Sequence, residues 1–119
     1  MTTDIVTSAD CPGAPDAVWL SLVAPGRYDE SRRTLALDHA DVRLRSLTPG
    51  LGVRGTARWL GVPYRVNAYL VPVETGTRLL VTARDKGTTP VPSWRRRLSR
   101  RLAGRDLRRL VDEASRHAA

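Results

Sequence analysis

Phenylalanine is missing from this chain of 119 residues, and aromatic side chains of every kind make up only 5% of it. Three tryptophans and three tyrosines must therefore supply all the large aromatic area of any core or binding surface. A single cysteine, Cys11, excludes an internal disulfide and any metal site built on a pair of thiolates, and it reads as a small loop residue. No apolar run approaches the ~20 residues of a membrane span. The start MTTDIVTSAD lacks the basic and apolar stretches of a signal peptide, so a cytoplasmic protein is expected. Metal-ligand spacings, a glycine-rich phosphate loop and a Ser/His/Asp arrangement are also missing, and neither a metal nor a cofactor is expected. The length suits one domain over residues 1–119, with one core.

Lysine is nearly absent too: Lys86 is the one exception among twenty basic residues, the rest being arginine. The net charge of +8 invites a nucleic-acid reading. Its distribution narrows that reading, because residues 93–119 hold nine arginines against Asp106, Asp112 and Glu113 and so carry six of the eight charges. A GC-rich genome produces the same arginine, alanine, valine and leucine bias, which weakens an argument from arginine number alone.

Turn-forming residues divide the chain into short segments. Ile5 and Val6 start a first strand that ends at Asp10, Cys11, Pro12 and Gly13. Pro15 suits a first helical position and Asp16 the positive end of a helix dipole, while Val18, Trp19, Leu22 and Val23 share a face; a helix A over about residues 15–24 follows. Pro25 and Gly26 stop it, and the polar segment RYDESRR suits one further helical turn. From Thr34 the period changes to two. The alternation slips by one residue across Asp38, His39, Ala40 and Asp41, which marks a β-bulge or a hairpin turn. Strands are expected over about Val53–Leu60, Tyr64–Val73 and Arg78–Arg84, all antiparallel because no connection is long enough for a parallel crossover.

The one long proline-free window is Ser93–His117, with Ser93 as N-cap. Its apolar residues form two sets, Trp94, Leu98 and Leu102, then Leu107, Leu110, Val111 and Ala114. At about 100° per residue the two sets point about 170° apart, so a kink, a π-bulge or a break is expected near Gly104. Arg95, Arg96 and Arg97 oppose the helix dipole, and something must offset them: a sheet carboxylate such as Asp85, an anionic ligand, a partner protein or nucleic acid. Arg108 with Asp112, Arg109 with Glu113 and Asp112 with Arg116 stand at i,i+4 and suit a solvated face.

In this order of elements the chain resembles the START-like, or SRPBCC, helix-grip superfamily, which includes the polyketide cyclase and dehydrase group. The segments that carry the likeness are APDAVWLSLVAPGRYDE, PGLGVRGTARW, VPVETGTRLLVTARD and SWRRRLSRRLAGRDLRRLVDEA. The resemblance implies an α+β fold in which an antiparallel sheet of five to six strands curves around a long C-terminal helix, kinked near Gly104, with the short helix A after the first strand. Members usually have six strands after the helix pair, and only four or five can be placed between Thr34 and Arg84. A shortened sheet would make the pocket smaller or open it on one side, and a homodimer could cover the exposed edge.

The resemblance further implies a cavity between sheet and helix for a hydrophobic or aromatic small molecule. Its expected wall is Trp59, Tyr64, Trp94, Leu98 and Leu102, with Asn67 and Tyr69 facing inward only if the register differs by one residue. His39, beside two carboxylates at the phase slip, and Tyr64 are the expected proton-moving groups of a polyketide cyclase- or dehydrase-like biosynthetic enzyme. His117 is placed at a terminus without a role. Three alternatives stay open: a non-catalytic carrier of a lipid-like ligand, a nucleic-acid- or acidic-partner-binding module using the arginine face, and an interaction subunit docking through a sheet edge.

Overall fold

The computed structural model describes residues 5–22, 28–48, 52–87 and 90–117, with the side chains of Leu47 and His117 outside the description. Its elements are β1 (Ile5–Cys11), α1 (Pro15–Leu22), β2 (Tyr28–Asp29), β3 (Thr34–Ala36), β4 (Asp41–Thr48), β5 (Gly52–Trp59), β6 (Val62–Val73), β7 (Gly76–Asp85) and α2 (Ser93–His117). The strands form one antiparallel sheet in the order β1-β7-β6-β5-β4-β3-β2. One face of this sheet is covered by the two helices. The architecture is the expected α+β helix-grip arrangement, and the expected Val23 and Pro25–Gly26 end of the first helix lies outside the described residues.

Seven strands replace the expected five to six, six of them following α1. The difference comes from β2 and β3, which have two and three residues and are too short to show an alternation. Within RYDESRR the described residues, Tyr28–Arg33, make no helical turn. The Asp29 carboxylate accepts hydrogen bonds from the Ser31 amide at 3.0 Å, the Ser31 hydroxyl at 2.7 Å and the Arg32 amide at 3.3 Å. These bonds hold its carboxyl below the usual value and close a tight turn, with Arg33 at φ 52°. With β2 ending the sheet, the edge is short, and the premise for a dimer across a missing hairpin falls away.

The phase slip at Asp38–Asp41 is a hairpin turn, closed by the Leu37 amide bonding the Ala40 carbonyl at 2.8 Å. A bulge does occur in β4, between Leu44 and Ser46. Strand β6 starts two residues earlier than expected because the turn needs only Leu60 and Gly61, at φ 52° and 77°. That pair of positive values makes a tight hairpin with Trp59 paired to Val62. Along β6 the alternation is regular: Val62, Tyr64, Val66, Ala68 and Leu70 are buried against the helices, and Arg65, Asn67 and Tyr69 face away from them.

Helix α2 runs unbroken through Gly104, without a π turn or interruption. Sequence periodicity suggested a change of face because it read Trp94 and Leu98 as core. Instead, Ser99, Ala103, Asp106, Leu107, Leu110, Val111 and Ala114 are the buried positions, and these fall on a single helical face. Two polar residues, Ser99 and Asp106, continue the face that leucines and alanines begin. Trp94 and Leu98 are 64% and 41% exposed on the opposite side.

A Cβ added at Gly104 would meet nothing within 4 Å outside its own helix. Gly104→Ala is therefore expected to stabilise the fold by about 0.5–1 kcal/mol in urea denaturation, by removing backbone freedom from the unfolded chain. A helix broken at this position would show no gain, or a loss.

Candidate ligand cavity and the polar groups beside it

Between the covered sheet face and the helices lies a small void of about 30 Å3. Its sides are Trp19 and Leu22 of α1, Leu107 and Leu110 of α2, and a patch of sheet from β3 to β7 that includes Val42, Gly55, Val66 and Val81. Among the described residues only carbon-rich side chains and glycine line it. Gly55 brings the sheet backbone against the void, and a Cβ there would lie 2.7 Å from the Arg43 carbonyl oxygen and 2.9 Å from Val42. The void has the size of one water but offers no polar partner to hold one.

Trp59 and Tyr64 are both fully buried and stand edge to face, with ring centres 5.4 Å apart. They do not line the void, contrary to the expectation from sequence, because their polar ends are drawn to α2. The Trp59 indole donates to Oδ2 of Asp106 at 2.8 Å. The Tyr64 hydroxyl pairs with Ser99 Oγ at 2.8 Å, and Ser99 donates to the Arg96 carbonyl at 2.7 Å. Burial raises the Tyr64 phenol above its ordinary value of 10, with the Asp85 charge adding to the effect against the Ser99 hydrogen bond.

Asp106 organises this region. Its carboxylate is buried and accepts three hydrogen bonds: from Trp59, from the His39 backbone amide at 2.8 Å to Oδ2, and to Oδ1 from Nδ1 of the His39 ring at 2.7 Å. Such a carboxylate fixes the proton on Nδ1 and leaves Nε2 of the neutral ring as the nitrogen with a lone pair. The His39 side chain remains 47% exposed. Sequence reading picked out His39 but paired it with its chain neighbours. Its partner is Asp106 across the fold, while Asp38 pairs with Arg109 at 2.8 Å. The signal for Asp106 was available: it sits three residues after Ala103 and four before Leu110, on the apolar face of its helix.

The remaining expected wall residues lie elsewhere. Trp94 and Leu98 face outward, and Leu102 is half-buried against the edge of the core. Tyr69 is 38% exposed on the outer sheet face, and Asn67 shares that face, with its Oδ1 buried and unpaired. The register pairs Asn67 with Arg54 and Thr82, so the shift of one residue that would turn it inward does not occur. Asp85 does offset the first turn of α2, pairing with Arg96 while accepting from the Gly87 amide at 2.7 Å. Cys11 is buried at the end of β1 rather than in a loop, and burial pushes its thiol up.

No family model matches the sequence, and no curated protein matches it. Solved structures do. Protein MLL2253 from Mesorhizobium loti superposes with a TM-score of 0.69 at 15% identity, over 96% of this chain and 95% of that one. The chain has the START-like helix-grip fold. The di-domain ARO/CYC StfQ from the steffimycin biosynthetic pathway shares this fold with a TM-score of 0.65 at 14% identity, over 99% of this chain and 51% of StfQ. Ara h 8.0201 shares it at 0.62 and 10% identity, over 99% and 98% of the two chains.

Two measurements test the polar arrangement. Asp106→Ala should cost about 3 kcal/mol or more in urea denaturation, because it strips the partner from three buried or half-buried donors at once. His39→Ala should cost about 1 kcal/mol, since the backbone bond survives. Equal, small losses for both would contradict the description. The raised Tyr64 value means the folded state holds its proton longer than the unfolded state. Its contribution to stability is thus present below pH 10 and lost as pH rises through the folded value. Tyr64→Phe should flatten that alkaline loss.

Proposed function

We propose that the chain binds a hydrophobic or aromatic small molecule in the seam between the sheet and α2. The observation that carries this reading is the composition of the seam: an unbroken apolar lining drawn from two helices and five strands, with a residual void at its centre. Similarity of fold to StfQ supports a biosynthetic role of the cyclase or dehydrase kind. At about 30 Å3 the void is far below the roughly 300 Å3 of an occupied small-molecule site. A ligand therefore enters by displacing part of the wall. Helix α1 is the element that yields, because its eight residues contribute Trp19 and Leu22 to the wall and stand outside the strand hydrogen-bond ladder.

In the enzymatic form of this reading, shape does most of the work by holding a flexible substrate in one reactive conformer. His39 is the group that moves protons: its side chain is half-exposed, and Asp106, which orients the ring, precedes Leu107 of the cavity wall. Tyr64 keeps its proton and acts as a hydrogen-bond donor. A second reading, a carrier without catalysis, is favoured by the absence of an acid or base from the described lining.

Native mass spectrometry of the purified protein should show a retained apolar molecule, or uptake of an added polycyclic aromatic probe. Ala68→Val places two more carbons in the seam and should weaken that uptake about tenfold, at a cost in stability of about 1–3 kcal/mol from overpacking. Unchanged uptake would place the ligand elsewhere. Turnover that survives His39→Ala combined with Tyr64→Phe would favour the carrier over the enzyme.

A further inference from the structure

The outer face of the first half of α2 is explained neither by the core nor by the cavity. Between Ser93 and Arg105 the sequence holds six arginines and no acid. Arg96 is tied to Asp85. Arg95, Arg97, Arg101 and Arg105 are exposed and make no ion pair among the described residues. Two large apolar side chains stand among them, Trp94 at 64% and Leu98 at 41% exposure. Trp94, Leu98, Arg97, Arg100 and Arg101 together line a shallow open groove. The Leu60–Gly61 turn comes alongside, with the Arg95 guanidinium 3.9 Å from where a Cβ on Gly61 would lie, and Leu60 is itself 36% exposed.

In isolation this face is unfavourable. Cations in a first helical turn oppose the dipole, and an exposed tryptophan and leucine four residues apart give up burial that the opposite face of the same helix obtains. The second half of α2 behaves differently: Arg108 pairs with Asp112 at 3.5 Å and Arg109 with Glu113 at 3.6 Å, giving an ordinary solvated surface. What satisfies both the apolar and the cationic members of the first half is a surface negatively charged outside and apolar just beneath.

We infer that this face docks on an anionic lipid bilayer. Trp94 and Leu98 enter the headgroup region, where tryptophan is at home, and Arg97, Arg101 and Arg105 meet lipid phosphates. With so few apolar residues the attachment is reversible and depends on charge. Charge and apolar content together favour a membrane over nucleic acid, because Leu98 and Leu60 gain nothing from a phosphate backbone. Stacking of successive bases would need a second aromatic beside Trp94, which the groove does not contain. The inference is independent of the cavity, since no residue of this face lines it.

Co-sedimentation with vesicles tests it, using phosphatidylcholine alone and an equal mixture with phosphatidylglycerol. The full chain should bind the mixed vesicles at low salt, bind plain phosphatidylcholine at least tenfold more weakly, and shift the Trp94 emission to the blue. Arg97→Glu with Arg101→Glu should reduce binding tenfold or more, at about one kcal/mol per charge near the surface. Trp94→Ala with Leu98→Ala should remove the blue shift and weaken binding while the protein stays folded, both residues being exposed. Arg116→Glu, far along the helix, serves as the control and should change binding little. The inference is overturned by failure to bind mixed vesicles, by equal loss in the Arg116 control, or by binding indifferent to Trp94 and Leu98. Tighter binding to a DNA duplex at the same salt would also overturn it, in favour of a nucleic-acid surface.

Discussion

One buried carboxylate ties together parts of the chain that have little else in common. Asp106 receives the indole of Trp59 from β5, the backbone and ring of His39 from the β3–β4 hairpin, and stands on α2 itself. A lone carboxylate in that position would be very costly, so the three donors and the acceptor depend on one another. The consequence is a fixed rotation of α2. With Asp106 turned inward, Ala103, Leu107 and Leu110 turn inward too, and Trp94 and Leu98 are carried to the outside.

The rotation explains why the interior is nearly full. Trp59 and Tyr64, the largest buried side chains, are drawn toward α2 through Asp106 and Ser99 and close the space a ligand would otherwise occupy. What remains is an apolar seam farther along the sheet, between Trp19 and Leu22 on one side and Leu107 and Leu110 on the other. A ligand in this protein would compete with well-packed side chains rather than fill an empty chamber. Affinity would then depend on how easily α1 moves.

Much of the architecture was legible in the sequence because period-two alternation and glycine or proline turns are local signals. β5, β6 and β7 were placed to within a few residues, and the succession of strand, helix, meander and long helix was enough to suggest the helix-grip fold. The short strands β2 and β3 were not legible, since two or three residues carry no period and the Asp29 turn looks like any polar segment. The site was harder. A hydrophobicity pattern counts Trp94 and Leu98 as core and Ser99 and Asp106 as surface, whereas hydrogen bonds from partners distant in sequence reverse all four. Asn67 and Tyr69 follow the alternation of β6 outward, and the carboxylate that holds His39 is Asp106, distant in sequence, and not its neighbours.

Entry of small apolar molecules into the seam between α1, the sheet and α2 has a direct readout. Methyl chemical shifts read this directly during titration with an aromatic probe. The methyl signals of Leu22, Val66, Val81, Leu107 and Leu110 should move together and saturate, while those of Leu98 on the outer face stay in place. Movement at Leu98 with an unchanged seam would contradict the account.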